Sequence, residues 1–238
     1  MSATEELKPG VPTLHHLSNS QSQRILWLLE ELAIEYELEY NVVLYSRGAK
    51  DKRAPKELAS IHPLGRSPTL VTADGRTLIE SLTITTYLLK TYDVRNKFVA
   101  DDWIREDTLR SFVGATLFPL ASLEMLFDIA AKNTPWPFSF IMRRIKKGFD
   151  DFFSNAEFKK DLEYLEGELS DSEWFNGKEL GQVDFVMNWP LDVIAIRGYA
   201  DLEKDYPKLH AWRMRVYERQ GWKQALTKGN DYDLEQLG

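Results

Sequence analysis

The chain has 238 residues, of which 43% are hydrophobic and 28% charged, with a formal net charge of −7. This length suffices for two small domains with a sizeable core. The negative charge argues against a nucleic-acid partner, because binding to a phosphate backbone usually requires a basic face. The absence of cysteine excludes disulfides, thiolate metal ligands and a cysteine nucleophile.

Neither a metal site nor a membrane span is expected. The neighbours His15 and His16 would point to opposite faces of a strand, and the two other histidines are distant in the sequence. Residues 1–10 are polar and acidic, and no stretch approaches the roughly 18 apolar residues that a membrane helix needs. We therefore expect a cytoplasmic protein without a metal ion.

The first part of the chain alternates between strand and helix patterns. Thr13–Leu17 is a short strand candidate. Apolar residues then recur with the spacing of one helical face, at Ile25, Leu28, Leu29 and Leu32. Over residues 36–42 apolar and polar residues alternate, which is typical of a half-buried strand. These three elements form a βαβ unit.

A hairpin and a further helix come next. Thr69–Val71 and Thr77–Ile79 flank an Asp74-Gly75 turn, a pattern that predicts two antiparallel strands. The segment after them has apolar residues on one helical face. The order β-α-β, then β-β-α, matches the thioredoxin-like arrangement, and we place this domain at residues 11–92.

The remainder of the chain is predicted to be helical. Residues 93–102 are polar and aperiodic, and we interpret them as a linker. Residues 103–238 carry several helical stripes, the first bent near Pro119, and no strand pattern. The predicted fold is an α/β N-terminal thioredoxin-like domain followed by an all-α C-terminal domain.

Two short motifs in the first domain predict a binding site. Ser67-Pro68 directly precedes a strand, and Glu80-Ser81 directly precedes a helix. Ser81 would cap that helix, whose N–H groups and dipole favour a carboxylate, while Glu80 can receive an ammonium group. Taken singly, the two residues are also explained as an ordinary cap and a surface carboxylate. Together the motifs could hold a short zwitterionic peptide.

These motifs and the two-domain order resemble the cytosolic glutathione transferases. The resemblance rests on Pro63-Leu64-Gly65-Arg66-Ser67-Pro68, on Glu80-Ser81, and on residues 19–32, which resemble the bacterial and yeast-type fungal branch with a serine-type catalytic loop. It implies glutathione as co-substrate, an electrophile site in the helical domain and a homodimer.

The resemblance also assigns the parts of glutathione to these motifs. Glu80 would bind the γ-glutamyl ammonium, and the helix start at Ser81 its carboxylate. If the Ser67-Pro68 bond is cis, the backbone of Ser67 would pair with the cysteinyl residue as a short antiparallel ladder. Arg66 could reach the glycyl carboxylate, although an arginine beside a turn is usually solvated.

Activation of the thiol is expected in the loop before the first helix. The thiolate is the nucleophile, and a free thiol has a pKa near 8.5. A hydrogen-bond donor to the sulfur, with the helix N-terminus, could lower that pKa by about one to three units. Ser20 lies where serine-type members place the catalytic hydroxyl, and Asn19 is the alternative donor. Ser20 could instead simply cap the helix.

The helical domain is less informative. By resemblance, the electrophile lies between the domains, which makes Trp103, Phe112 and Thr116 candidate contacts. Asp184 is assigned to folding, because Gly181 lacks the side-chain acceptor of the family's Ser/Thr-x-x-Asp capping box.

The predicted function is that of a detoxifying glutathione transferase, which adds glutathione to hydrophobic electrophiles. One alternative is glutathione-dependent reduction of peroxides or disulfides at the same site. The other is a non-catalytic carrier or scaffold with the same fold. The presence of both Ser67-Pro68 and Glu80-Ser81 favours a working glutathione site.

Overall fold

The computed structural model describes residues 7–48 and 52–235, and the chain divides into two compact units. The first unit contains the chain up to Asn96 together with Glu218–Tyr232, and the second contains Lys97–Tyr217 and the residues from Asp233 onward. The boundary at Asn96 falls inside the predicted linker, 93–102. The return of Glu218–Tyr232 to the first unit differs from the predicted division, which gave all of 103–238 to the helical domain.

The first unit is a four-stranded mixed sheet with helices. Its elements, numbered along the whole chain, are β1 (Thr13–Leu17), α1 (Ser22–Tyr36), β2 (Asn41–Tyr45), α2 (Leu58–Ile61), β3 (Thr69–Val71), β4 (Thr77–Leu78), α3 (Ser81–Tyr92) and α11 (Gln220–Lys228). The strand order is β2-β1-β3-β4, with β1 parallel to β2 and antiparallel to β3, and β3 antiparallel to β4. The predicted α/β class is confirmed.

The helix α1 is longer than the sequence pattern indicated. It continues to Tyr36, where Glu37 adopts a φ of 56° and donates its N–H to the carbonyl of Ala33 at 3.0 Å. Tyr36 follows Leu32 by four residues and so extends the helical stripe. The predicted strand over 36–42 therefore starts too early, since β2 begins at Asn41.

The helix α11 packs along α1. The rings of Trp27 and Trp222 meet edge to face with centroids 5.7 Å apart, and Arg219 donates from Nε to Oε1 of Glu31 at 3.0 Å. A Cβ at Gly221 would lie 2.7 Å from Oε1 of Glu31, so a larger residue would require the Glu31 side chain to shift. These contacts explain why the end of the chain belongs to the first unit.

The second unit is all-helical within the described residues. It contains α4 (Trp103–Phe112), α5 (Phe118–Asn133), α6 (Ser139–Phe149), α7 (Asn155–Leu169), α8 (Gln182–Ile196), α9 (Leu202–Asp205) and α10 (Pro207–Glu218). A π turn joins α4 to α5, and another joins α6 to α7. The predicted all-α second domain is confirmed.

One helical stretch, Trp103–Asn133, is long and apolar enough to cross a membrane by length and composition alone. The sequence analysis did not expect any such stretch. Core helices of water-soluble domains meet the same two criteria, and this one buries Leu109, Val113 and Leu117 within the helical unit.

Candidate functional site

The Ser67-Pro68 segment lies beside the end of β1. The peptide bond is cis, as the family resemblance suggested. The hydroxyl of Ser67 accepts from the N–H of Leu17 at 3.1 Å and donates to the carbonyl of His15 at 2.9 Å. The hydroxyl of Ser67 thus takes the place of the Ser67 backbone in pairing with β1. Among residues 7–48 and 52–235, no hydrogen bond engages the backbone N–H or C=O of Ser67. That peptide edge can pair with another chain.

The turn before α1 contains the two predicted thiol-activating residues. The buried hydroxyl of Ser20 donates to the carbonyl of Leu17 at 2.8 Å and accepts from the N–H of Ser22 at 3.1 Å. Ser20 thus accepts from the first residue of the helix, although the N-cap position itself is Gln21, and both roles considered for Ser20 stay predictions. Leu17 binds Ser67 through its N–H and Ser20 through its carbonyl, so it connects the two predicted parts of the site.

Asn19 adopts the left-handed conformation, with a φ of 51°. Its backbone is held from two sides: its N–H donates to the carbonyl of Asp231 at 2.8 Å, and its carbonyl accepts from Nη2 of Arg47 at 3.2 Å. Asparagine tolerates this conformation better than most residues. The turn is thus fixed by contacts from distant parts of the chain.

The start of α3 differs from the prediction in one respect. Ser81 is the first helical residue and not the N-cap, which is Glu80. The hydroxyl of Ser81 instead accepts from Nη2 of Arg24 and donates to Oε1 of Gln21 at 3.1 Å. Gln21 also accepts from Arg24. The amide oxygen of Gln21 supplies the acceptor for both bonds.

Glu80 is exposed and has a φ of 67°, a strained conformation for a residue with a side chain. Its carbonyl accepts from the N–H of Ile84 at 2.9 Å. Burial lowers the pKa of Arg24 to about 10, while Tyr232 and Glu80 raise it. A buried cation and an exposed carboxylate therefore lie together at the first turn of α3, and Arg24 stays charged at neutral pH.

Pro68 and Arg66 are the two remaining residues that were predicted to contact glutathione. Pro68 is buried, whereas Arg66 is exposed. The carbonyl of Arg66 accepts from the hydroxyl of Thr69 at 2.7 Å, and its guanidinium makes no hydrogen bond or ion pair within the described residues. The Arg66 guanidinium is available to an anion, and no side chain among residues 7–48 and 52–235 orients it.

The three predicted electrophile contacts lie on one helical stretch of the second unit. Trp103 is 71% exposed, Thr116 is exposed in the π turn, and Phe112 packs edge to face against Tyr164 with ring centroids 5.2 Å apart. Trp103 and Phe112 are nine residues apart on α4, which is a rotation of about 180° around the helix axis. The three side chains therefore cannot share one face.

Asp184 has the folding role that the sequence predicted. It is fully buried and accepts from the backbone N–H groups of Phe175 and Gly181, each at 2.9 Å, and from Nε1 of Trp212 at 2.7 Å. A Cβ at Gly181 would lie 2.3 Å from Cγ of Asn176. This close contact explains why glycine replaces the serine or threonine of the usual capping box.

The adjacent histidines have separate partners. Nδ1 of His15 lies 2.9 Å from the hydroxyl of Tyr45, and Nδ1 of His16 lies 3.1 Å from the hydroxyl of Ser22. Burial lowers the pKa of His16 to about 4. In the described part of the chain, no three His, Asp or Glu side chains are grouped closely enough to hold a metal ion.

Sequence reasoning missed Arg24 and Gln21 as parts of this region, and it did not connect the segment 229–232 with the turn before α1. Arg24 precedes Leu28 by four residues and so occupies the apolar face of α1, and a charge on such a face is a detectable signal. The contact between Asp231 and Asn19 spans most of the chain and leaves no local pattern.

Comparison with known protein families agrees with the geometry of both units. Residues 20–91 match the model of the glutathione S-transferase N-terminal domain, and residues 132–220 match that of the C-terminal domain. Glutathione S-transferase 3 of Schizosaccharomyces pombe is 32% identical over 224 residues, which cover 93% of this chain and 89% of that protein. This chain belongs to the glutathione S-transferase family. Glutathione S-transferase 1 of Saccharomyces cerevisiae is 31% identical, covering 90% of this chain and 94% of the relative, so the relationship is to fungal-type members.

Solved structures of glutathione S-transferases share the fold. One from Actinobacillus pleuropneumoniae has a TM-score of 0.73 and 27% identity, covering 96% of this chain and 97% of that one. Ure2p5 from Phanerochaete chrysosporium, crystallised with 1-(S-glutathionyl)-2,4-dinitrobenzene, has a TM-score of 0.69 and 21% identity, covering 94% and 95% of the two chains. At this identity the second likeness concerns the fold alone.

Proposed function

We propose that this family member conjugates glutathione to hydrophobic electrophiles. The first unit binds glutathione and ionises its thiol, and the helical unit holds the second substrate. The observation that carries the proposal is the convergence at the ends of β1, α1 and α3: Leu17 connects Ser67 to Ser20, while Arg24 and Gln21 connect α1 to Ser81.

The charges at the start of α3 match the γ-glutamyl end of glutathione. This end carries a carboxylate and an ammonium group on one carbon atom. Arg24 and the first-turn N–H groups of α3 suit the carboxylate, since a helix N-terminus and a guanidinium both favour an anion. Glu80 suits the ammonium group. No side-chain cap accepts from the first-turn N–H groups of α3, and that turn contains no acidic residue.

The backbone edge of Ser67 would then receive the cysteinyl residue. A peptide paired with this edge lies next to Leu17, whose carbonyl holds Ser20. The thiol is thereby brought to the Asn19–Ser20 turn. Arg66 is the cation closest in sequence to this edge, and we assign it to the glycyl carboxylate.

Thiolate formation at this turn requires a donor to the sulfur. The hydroxyl of Ser20 would have to exchange its bond to the carbonyl of Leu17 for one to the thiolate, which is favourable because bonds to charged groups are the stronger ones. Asn19 is the alternative, with two amide donors. In the transfer step the sulfur forms a bond to the electrophilic carbon, a leaving group departs with its electron pair, and the thiol proton has already passed to solvent.

The helical unit would hold the electrophile. We assign Phe112 and Thr116 to this role, since Thr116 follows Phe112 by about one turn on the same helical stretch. Trp103 projects from the opposite side of α4 and would contact a different part of a bulky substrate. A conjugate of glutathione with a dinitrophenyl group is the ligand of the Ure2p5 structure, which supports aromatic electrophiles as a class to test.

We also propose that the protein is a cytoplasmic homodimer. Support comes from apolar side chains that the helical unit leaves exposed along α5–α7, at Leu126 (60%), Phe140 (60%), Ile145 (51%) and Phe152 (88%). Large exposed apolar side chains are typical of interaction surfaces. Sedimentation should give twice the chain mass of 27.6 kDa, and a monomer at micromolar concentration would contradict the dimer.

A panel of second substrates tests the proposed activity. Purified protein with glutathione is assayed with an aryl halide, an organic hydroperoxide and a mixed disulfide. We expect turnover of the aryl halide. Turnover confined to the hydroperoxide or the disulfide would favour a reductase, and glutathione binding without any turnover would favour a carrier.

The donor is identified by titrating the thiol of bound glutathione through its thiolate absorbance. We expect Ser20→Ala to raise this pKa by about one unit, the effect of losing one hydrogen bond to a charged group. An unchanged titration in Ser20→Ala with a raised pKa in Asn19→Ala would transfer the role to Asn19.

A further inference from the structure

The segment Gly229–Tyr232, here named the C-terminal strap, runs from the end of α11 to the Asn19–Ser20 turn. The N–H of Gly229 donates to the carbonyl of Ala225 at 2.9 Å. A Cβ at Gly229 would lie 2.9 Å from that carbonyl oxygen and 3.2 Å from Cδ2 of Leu26. The strap can therefore begin this close to α1 only because residue 229 is glycine.

One hydrogen bond joins the strap directly to the turn, and a second joins it to the neighbouring end of β2. Nδ2 of Asn230 donates to the carbonyl of Tyr45 at 2.8 Å, and the same carbonyl accepts from the N–H of Ser18 at 2.9 Å. The carbonyl of Asp231 accepts from the N–H of Asn19 at 2.8 Å. The strap thus lies along the two residues that precede Ser20.

The turn is held from its other side by Arg47. Nε of Arg47 donates to the carbonyl of Ser18 at 3.1 Å and Nη2 to that of Asn19 at 3.2 Å. Asn19 needs such support, because its left-handed backbone persists only when surrounding contacts over-determine it. Removing the strap would take away the hydrogen bond from Asp231 and leave that from Arg47.

Tyr232 connects the strap to the γ-glutamyl side of the site. Its ring meets that of Trp222 edge to face with centroids 5.4 Å apart, and Trp222 itself packs on Trp27 of α1. Tyr232 also lies close enough to Arg24 to interact electrostatically with the guanidinium. The loop before α1 contains no tyrosine, but Tyr232, near the end of the chain, lies close to Arg24 in the first turn of α1.

We propose that the C-terminal strap is part of the glutathione site, with Asn230 and Tyr232 as positioning residues that keep the Asn19–Ser20 turn in its thiolate-stabilising geometry. This inference rests on the proposed function. Ser67, Glu80 and Ser81 make no hydrogen bond with the strap. The strap therefore sets the thiol pKa of bound glutathione and has little effect on the affinity for the protonated tripeptide.

The test compares the full-length double variant Asn230→Ala/Tyr232→Ala with Glu235→Ala, an exposed position on the same tail beyond the strap. Three quantities are measured: amide hydrogen exchange of residues 17–22 in the free protein, glutathione affinity at a pH below the thiol pKa, and the pKa of the bound thiol. In the double variant we expect faster exchange, affinity within about twofold of wild type, and a thiol pKa higher by about 0.5–1 unit, the effect of one weakened hydrogen bond. Glu235→Ala should match the wild type in all three.

The outcomes separate the strap from the proposed function. If the wild type lowers the thiol pKa and the double variant lowers it equally, the strap has no positioning role. If exchange becomes faster but the pKa stays low, the strap is structural only, and the inference is overturned. A wild-type protein that leaves the thiol at its free pKa contradicts the proposed function itself, and the inference falls with it. Tyr232→Phe keeps the ring on Trp222, so a raised pKa in that variant assigns part of the effect to the hydroxyl beside Arg24.

Discussion

The N-termini of α8 and α3, one in each unit, both favour a nearby negative charge, but the residues around them differ. At α8 the protein provides its own anion: the buried carboxylate of Asp184 accepts from the N–H of Gly181 and from two further donors. At α3 no side chain caps the helix, the N-cap Glu80 is strained, and Ser81 is bonded to Arg24. The filled helix start stabilises the fold, whereas the open one is suited to a ligand's carboxylate.

The largest expected effect is on stability, at α8. Asp184→Ala leaves three buried N–H donors without their acceptor, each worth about 1–3 kcal/mol. We expect the free energy of unfolding to fall by about 3–5 kcal/mol in denaturant titrations. Asp184→Asn, which keeps one acceptor oxygen, should lose less. Loss of glutathione binding without any loss of stability would mean that α8, too, serves a ligand.

The second-largest effect on stability comes from the titration of His16 in β1. His16 contacts Ser22 at the start of α1, and burial lowers its pKa from 6.5 to about 4. Between these two values the unfolded chain binds more protons than the folded one, so stability decreases as the pH falls from 6.5 toward 4. The full loss is about 3 kcal/mol at 1.36 kcal/mol per unit.

His16→Gln, which cannot titrate, should flatten this part of the stability curve after correction for its own basal stability. Burial also lowers the pKa of His15, on the opposite face of β1, so His15→Gln measures that residue's own share of the pH dependence. A pH dependence that persists in His16→Gln would assign the acid sensitivity to another group.

A substitution of Glu80, at the start of α3, is expected to have the smallest effect on stability and the largest effect on glutathione binding. Glu80→Gly relieves the left-handed strain at φ 67° and removes the carboxylate. We expect stability to be unchanged or higher by about 0.5–1 kcal/mol, while glutathione binding weakens about tenfold or more through loss of a charged hydrogen bond. Glu39→Gly, an exposed carboxylate of the same unit, should leave the affinity unchanged. Retained affinity in Glu80→Gly would remove Glu80 from the site.

The sequence predicted most features that depend on neighbouring residues and few that depend on contacts between residues far apart in the chain. The stripe from Ile25 to Leu32 and the Asp74-Gly75 turn specify α1 and the hairpin through nearest-neighbour physics, and both are found. Ser67-Pro68 and Glu80-Ser81 were recognised because the motifs are short and adjacent. The hydroxyl partners of Ser81, however, come from residues about 60 positions earlier, and no periodic pattern encodes such contacts.

The end of the chain shows the same limit more clearly. An amphipathic helix after a helical domain is naturally assigned to that domain, yet α11 packs on α1 through Trp222 and through the space left at Gly221. The strap's contact with Asn19 follows from that packing. Such placement depends on complementary shapes of two distant helices, which sequence periodicity alone does not contain.

The central claim is that the start of α3 holds the γ-glutamyl carboxylate, and a chemical double-mutant cycle tests it most directly. Calorimetry compares glutathione with the analogue whose γ-glutamyl α-carboxylate is an amide, in the wild type and in Ser81→Ala. We predict that the amide binds the wild type at least about tenfold more weakly, and that Ser81→Ala reduces this difference, because the carboxylate and Ser81 act on one another through Arg24. Equal affinities of the acid and the amide for the wild type would contradict the account.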